Sequence, residues 1–357
     1  MKTIVTILGI RPDFIRMAYT IRKLDNHFNH ILIHTGQHYD ALLSDVFFKE
    51  LGIRCPDYIL DVGKRASNHF EQLIYLTQEI PRLFNENNIR PDMILFLGDS
   101  NTVGVAYPLK KAGYCIGHIE AGMRSYDRRM LEEINRTVCD HCSDVLFVYH
   151  EDYKGQLELE NITNNVFVVG NTVVEPILPV RDILFKSPKL LNVILMDIHR
   201  PENFQYEDRL RKIFKFANTC INTFGTPVHL LYFKRLQDSI DKYGISLGNI
   251  QMVPLKPYSE YLKCVYDAPF IISDSGTGQE EPALLNTFVI VPRDFTERPQ
   301  SYSNGCSVQL QLESENFEDI FEKINKNNIR TDWLGDGTTS DKIISGLLTY
   351  MNNTNTA

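Results

Sequence analysis

Short apolar runs that alternate with helix-length segments from one end of the chain to the other constrain its fold more than any other feature. In the first half the runs fall at residues 3–9, 30–35, 93–98, 115–120, 145–149 and 166–170. In the second they fall at 192–196, 228–233, 251–255, 270–274 and 288–291. Most are continuously apolar and lack the alternation of a half-exposed strand. A strand apolar on both faces has to be covered on both faces, which predicts parallel sheets packed between helices. Amphipathic stretches fill the intervals. One places Phe70, Leu73, Ile74, Thr77, Ile80 and Phe84 on a common helix face, with Pro81 expected to kink it.

The chain has 357 residues, more than one ordinary core serves. The strand candidates suffice for two doubly wound sheets, so the fold class predicted is α/β with two Rossmann-like parallel-sheet domains. The pattern is interrupted by Pro176 and Pro179, just after Gly170-Asn171-Thr172. That predicts a first domain over 1–172 and a second over 173–340. Residues 341–357 are left as a terminal helix and polar tail, long enough to pack back on the first domain.

Composition narrows the function. A net charge of −8 without a basic stripe argues against nucleic-acid binding. No apolar run is long enough to span a bilayer, and the N-terminal residues lack a signal-peptide pattern, which makes a cytoplasmic location the expectation. The seven cysteines are scattered and odd in number, unlike a disulfide framework. Cys139 and Cys142 have CxxC spacing around His141, but no second ligand pair completes a metal set, so a buried helix face is the better reading. No nicotinamide, flavin or metal motif is present.

In sheets of this class ligands bind beyond the carboxyl ends of the strands, and that is where the unusual residues fall. The first run ends in Gly9-Ile10-Arg11-Pro12-Asp13-Phe14-Ile15-Arg16, a strand–turn–helix unit with two arginines near the helix start, suited to a phosphate or carboxylate. Gly98-Asp99-Ser100 and His118-Ile119-Glu120-Ala121-Gly122 each put an acid at a strand end. Glu132 and Glu133 both lie within one helical turn of Arg136. In the second half His199 follows a strand inside Asp197-Ile198-His199-Arg200-Pro201-Glu202-Asn203. The densest cluster is Ser273 to Glu281, Ser-Asp-Ser-Gly-Thr-Gly-Gln-Glu-Glu, followed by Arg293 to Pro299. Its small residues allow close backbone approach, and the helix expected to start there offers N–H groups to an anion. Glu281 suits ribose hydroxyls and Arg298 a phosphate. His34, His38, His118 and His229 are read as structural.

Taken in order, these segments resemble the non-hydrolysing UDP-N-acetylglucosamine 2-epimerase family from Gly9 to Gly305. The motifs are GIRP, TGQH at 35–38, GDS, HIEAGMR with LEEINR, HRPEN, and SDSGTGQEE with TERP. The resemblance implies the two-domain fold of GT-B glycosyltransferases with an interdomain active site, a homodimer, and no cofactor. It implies catalytic roles for Asp99, Glu120, Glu132 and His199. Arg11, Arg16, Arg136, Ser275, Gly276, Thr277, Glu281 and Arg298 match positions that bind the nucleotide and its phosphates. Gln37 matches a segment linked to an allosteric substrate site. Three positions depart from the family: Arg16 replaces a lysine, Thr277 a glycine, and Leu131 a proline after a shortened loop. These, with TGQxYD before VFF, look like the branch acting on UDP-2-acetamido-2,6-dideoxy-L-hexoses of the L-rhamnosamine, L-quinovosamine or L-fucosamine type. The implied reaction is inversion at C2 of a UDP-N-acetylhexosamine. A retaining glycosyltransferase, a hydrolysing epimerase and a non-catalytic UDP-sugar sensor remain the alternatives.

Overall fold

The computed structural model describes residues 1–37, 45–314 and 316–354. It divides into two units, Met1–Pro176 with Leu334–Ala357, and Ile177–Trp333.

The first unit holds a seven-stranded sheet built from β1 (Thr3–Leu8), β2 (Asn29–His34), β3 (Tyr58–Ile59), β4 (Met93–Leu97), β5 (Ile116–Ile119), β6 (Val145–Val148) and β7 (Val166–Val168). Their spatial order is β3-β2-β1-β4-β5-β6-β7, every pair parallel. All five residues of β4 are buried, as are all four of β5 and of β6, as expected of strands covered on both faces. The second unit holds a six-stranded sheet of β8 (Ile194–Asp197), β9 (Val228–Leu231), β10 (Gln251–Val253), β11 (Phe270–Ser273), β12 (Phe288–Val291) and β13 (Ser307–Gln309). Its order is β10-β9-β8-β11-β12-β13, again all parallel. The α/β class with doubly wound parallel sheets is therefore the class adopted. Each anticipated run overlaps a strand. The sequence missed β3 and β13, which are two and three residues long and carry too little apolar pattern to register.

Both orders reverse direction once, between β1 and β4 in the first sheet and between β8 and β11 in the second. At such a switch point the following helices leave on opposite faces and open a crevice beyond the strand ends. The turns bordering the first crevice are Gly9–Arg11 and Gly98–Ser100. Those bordering the second are Ile198–Arg200 and Asp274–Gly276.

One helical expectation needs correction. The His69–Glu86 helix runs on through Pro81, and its buried face is Leu76, Ile80 and Phe84 with Gln72. Phe70 is 71% and Ile74 43% exposed. At about 100° per residue, Leu73, Leu76, Ile80 and Phe84 cluster around one direction, and Ile74 lies well over 90° from it. Spacing alone merged two adjacent stripes, one facing the core and one facing solvent. The Leu131–Cys142 helix shows the same division, with Leu131, Ile134 and Val138 exposed. Both helices flank Gly104, where an added Cβ would meet Leu73 and Asn135.

The Thr339–Thr354 helix belongs to the first unit and packs on the Arg11–His27 helix, with an ion pair between Lys23 and Asp341 at 2.7 Å. Its start is held by Glu175, whose carboxylate accepts from the Ser340 hydroxyl at 2.6 Å and amide at 3.1 Å. No helix is long and apolar enough to cross a membrane, among the described residues.

Candidate active site

In the first unit the carboxyl ends of β1, β4 and β5 gather the acids and arginines singled out from sequence. The Arg11–His27 helix begins with Arg11 and Pro12, and Asp13 folds back so that its carboxylate accepts from the Gly9 and Ile10 amides, both at 3.2 Å. This closes the helix start on the end of β1. One turn on, buried Arg16 pairs with Asp13 at 3.1 Å and with Glu120. Gly98, at φ 72°, lets the chain turn directly over Arg16. A Cβ there would stand 2.8 Å from Nη2.

Glu120 itself has φ 71°, a left-handed conformation that costs a glutamate on the order of 1 kcal/mol. Its carboxylate also receives the Tyr149 hydroxyl at 3.4 Å, and that hydroxyl lies 2.5 Å from Thr172 Oγ1. Asp99 pairs with Arg136, which is 2% exposed, and its carbonyl accepts from Asn135 at 3.1 Å. Two strand-end carboxylates thus each stand against a buried guanidinium.

The paired glutamates separate. Glu133 is the acid beside Arg136, at 2.8 Å, and it also accepts from the Ser125 and Tyr126 amides and the Ser125 hydroxyl. It anchors the loop that leads from β5 into the helix. Glu132 lies one position earlier in the same first turn. Arg11 has a buried Nε without a hydrogen-bond partner among the described residues, and its guanidinium lies over Phe47, 5.1 Å from the ring centroid. Ser100 Oγ is likewise buried and unpartnered among the described residues. Gln37 is buried and held near Thr102, 3.5 Å from its hydroxyl, which also meets Thr35 at 3.0 Å. His38 lies outside the described residues.

In the second unit His199 follows β8, with Nδ1 2.9 Å from Asp197 Oδ1 and 3.4 Å from Asp274 Oδ1. Burial pushes its pKa down, but the negative charges of Asp197 and Asp274 outweigh burial and leave it above the usual histidine value. Asp274 also accepts the His199 and Arg200 amides at 3.0 and 3.1 Å and the Asn203 side chain at 2.9 Å. These three side chains could ligate a cation, all their donor atoms lying within 4.8 Å. The Asp274 oxygens are already taken by N–H donors, however, so the group reads as a self-satisfied ion-pair cluster. Cys139 and Cys142 are buried free thiols, and His141 pairs with Glu160 at 3.0 Å.

After β11 the expected helix start is shorter than the sequence suggested: a 3₁₀ turn at Thr277–Gln279, then the four-residue helix Glu281–Leu284. Little macrodipole can develop over such lengths. What remains is the turn, in which the Gly276 and Thr277 amides donate to no acceptor among the described residues. Arg298 packs directly against this turn, and a Cβ on Gly276 would stand 2.7 Å from its Nη1. It is enclosed by two acids, Glu297 and Glu280, the latter 3.0 Å from its Nε. Glu281 is oriented by the Tyr258 hydroxyl at 2.9 Å.

Sequence reasoning thus found the strand-end residues but not Tyr149, Ser100 or the two aspartates that flank His199. Tyr149 was findable, since it directly follows β6 at the carboxyl end of the sheet.

Known proteins resemble this chain along most of its length. The family model for UDP-N-acetylglucosamine 2-epimerase matches residues 22–348. The chain is 33% identical to a UDP-N-acetylglucosamine 2-epimerase of Methanococcus maripaludis, over 98% of both chains. It is 30% identical to the UDP-2,3-diacetamido-2,3-dideoxy-D-glucuronate 2-epimerase of Pseudomonas aeruginosa, over 85% of this chain and 87% of that one. The crystal structure of Methanocaldococcus jannaschii UDP-GlcNAc 2-epimerase in complex with UDP-GlcNAc and UDP superposes with a TM-score of 0.87 at 30% identity, covering 98% of this chain and 99% of that one. With the family model and full-length relatives in agreement, this chain belongs to the UDP-N-acetylglucosamine 2-epimerase family.

Proposed function

We propose that this chain inverts C2 of a UDP-linked N-acetylhexosamine, without a cofactor, by anti elimination and re-addition of UDP. The observation that carries the reading is the pair of strand-end carboxylates, Asp99 and Glu120, each set against a buried arginine at the β1/β4 switch point.

The C2 proton is not α to a carbonyl, so direct deprotonation is too costly. Elimination avoids that carbanion. A base removes H2 as the C1–O bond to UDP breaks, leaving a 2-acetamidoglycal and UDP. UDP then re-adds to C1 while C2 receives a proton on its opposite face. The chemistry needs acid/base groups for two faces and positive or N–H groups for the departing diphosphate. Asp99, Glu120 and Glu132 supply the first set. His199, Arg11 and the Ser275–Gly276–Thr277 turn supply the second, with Glu281 for ribose hydroxyls. Arg16 and Arg136 hold the acids, and Arg298 supports the turn.

The sugar is proposed as UDP-GlcNAc/UDP-ManNAc or a UDP-2-acetamido-2,6-dideoxy-L-hexose, the second supported by Arg16, Thr277 and the short loop before Leu131. That relatives act on both N-acetylglucosamine and diacetamido-glucuronate forms supports a family whose sugar varies while the reaction stays. Gln37 is proposed as an effector-side residue. A cytoplasmic homodimer is proposed, meeting through the exposed apolar stripes of Phe70 and Ile74 and of Leu131, Ile134 and Val138.

Incubation with each candidate UDP-sugar in D2O, followed by proton NMR, tests the reading. Deuterium at C2 together with a second epimer, without cofactor or acceptor, is the expected result. It should fall by orders of magnitude in Asp99→Asn, Glu120→Gln and Glu132→Gln while the fold is retained. Neither exchange nor epimer with any candidate sugar would sink the epimerase reading. UDP-sugar binding without turnover would favour a sensor.

A further inference from the structure

His118 lies on β5, two residues before Glu120, and is completely buried. Its two ring nitrogens meet different partners. Nε2 is 2.7 Å from the Gly98 carbonyl, and Nδ1 is 2.6 Å from Asp140 Oδ1. A carbonyl oxygen only accepts. Asp140 can only accept as well: its second oxygen already receives the Gly122 amide at 3.0 Å and Arg124 Nη1 at 2.7 Å. Burial alone would raise the Asp140 pKa, but His118 and Arg124 outweigh burial and hold it below the usual carboxylate value. With an acceptor on each side, both nitrogens of His118 must carry a proton. The cluster is neutral as a whole, since Arg124 pairs with Glu160 at 2.7 Å and thus His118 and Arg124 balance Asp140 and Glu160.

We propose that His118 is a positioning residue for the epimerisation: its imidazolium ties the Gly98 carbonyl and, through Asp140, the Gly122 amide to the Leu131–Cys142 helix, fixing the turns that carry Asp99 and Glu120. The inference rests on the epimerase reading above. Gly98 directly precedes Asp99, and Gly122 follows Glu120 by two residues. Asp140 stands four residues after Arg136 and eight after Glu132, so one helix face carries all three. The Glu120 turn needs holding, because φ 71° is a conformation that a glutamate keeps only where the surroundings over-determine it, and Gly98, free to adopt φ 72° without strain, is equally free to leave it unless its carbonyl is tied. The His118 pKa agrees: burial lowers it, but the Cys139 sulfur and the Asp140 carboxylate outweigh burial and raise it well above the ordinary value.

Two measurements test this. In protein labelled with ¹⁵N-histidine, His118 should show both ring nitrogens protonated and unchanged from about pH 6 to 9, a window in which an ordinary histidine loses its charge. A bare ring nitrogen at neutral pH would overturn the proposal. Second, His118→Asn keeps a donor near the Nδ1 position and His118→Gln one near the Nε2 position, so each breaks one tie. Per folded UDP-binding site, kcat for C2 exchange should fall on the order of 10²-fold in each, with KM little changed, as for misplacement of reacting groups by about 1 Å. A folded variant with wild-type kcat, altered only in melting temperature, would reduce His118 to a packing residue and refute the proposal. Should wild-type protein itself show no exchange, the epimerase reading fails first, which separates the two failures.

Discussion

The adjacent glutamates of the Leu131–Cys142 helix should separate cleanly into one that holds the fold and one that serves the reaction. Glu133 accepts from Ser125 N, Ser125 Oγ, Tyr126 N and Arg136 Nη1, at 2.8–3.0 Å, and is buried. Glu133→Gln keeps one acceptor oxygen but turns an NH2 group toward donors and removes the charge opposite Arg136. That amounts to about two lost hydrogen bonds to a charged group, at roughly 1.5–3 kcal/mol each, so about 3–6 kcal/mol in all. For a unit of this size each kcal/mol moves the melting temperature by about 2–4 °C, which predicts a fall of about 10 °C. Glu132→Gln, one position earlier in the same turn and outside the Ser125–Tyr126 bonds, should cost less stability than Glu133→Gln yet lose C2 exchange by orders of magnitude. Thermal denaturation and D2O exchange on both variants decide the matter. Equal melting losses in the two, or none for Glu133→Gln, would refute this division of roles.

Three further outcomes are expected. Gly98→Ala places a methyl group 2.8 Å from Arg16 Nη2 on a residue with φ 72°, so it should cost at least about 1–2 kcal/mol and lower kcat by displacing the Arg16–Glu120 pair; a silent substitution would contradict the geometry. His199→Gln should cost most stability at low pH. The folded His199 pKa lies above the unfolded value, so its charge stabilises fully below about pH 6.5 and the contribution is lost as pH rises through the folded pKa. Urea midpoints that differ by the same amount at pH 6 and pH 9 would exclude that imidazolium. Extended dialysis against a chelator should change neither melting temperature nor turnover, because the Asp274 oxygens are committed to His199, Arg200 and Asn203; a loss reversed by added divalent ion would identify the triad as a cation site.

How far these features could be read from sequence depended on the range of the interaction. Continuous apolar strands follow from local composition, and the switch-point rule then places Asp99, Glu120, His199 and Ser275 at ligand-facing ends without knowledge of any contact. Helix phase was harder. Phe70 and Ile74 are as apolar as Leu76 and Ile80, and spacing cannot tell a core stripe from an exposed one beside it. Whether Glu132 or Glu133 takes Arg136 turned on the loop at Ser125, which folds back on the helix. The contacts of His118 depend on Asp140 and on Gly98, twenty or more residues away, so a histidine read as structural from the sequence sits between two acceptors that no local pattern reveals. β3 and β13 exist because neighbouring strands template them.

Arg298 carries the last consequence of these long-range contacts. Its position after the SDSGTGQEE segment suggested a direct phosphate ligand, but its side chain is 4% exposed and already paired with Glu280 and Glu297, while Glu297 also holds Arg293 at 2.9 Å. To reach a phosphate it would have to leave buried Glu280 without this partner and Glu297 with Arg293 alone. Removing one partner of a buried ion pair costs about 3–5 kcal/mol, comparable with what a phosphate contact would return. Supporting the Gly276 turn from behind, with the Gly276 and Thr277 amides meeting the anion, involves no such exchange. Arg298→Met should therefore lower the melting temperature by several degrees, and the protein that remains folded should bind UDP no more than about tenfold more weakly. Calorimetric titration with UDP on that variant reads the difference directly. An unchanged melting temperature with UDP binding weakened a hundredfold or more would mean that Arg298 leaves its acids to take the diphosphate itself, and that the Gly276 turn is not the principal anion site.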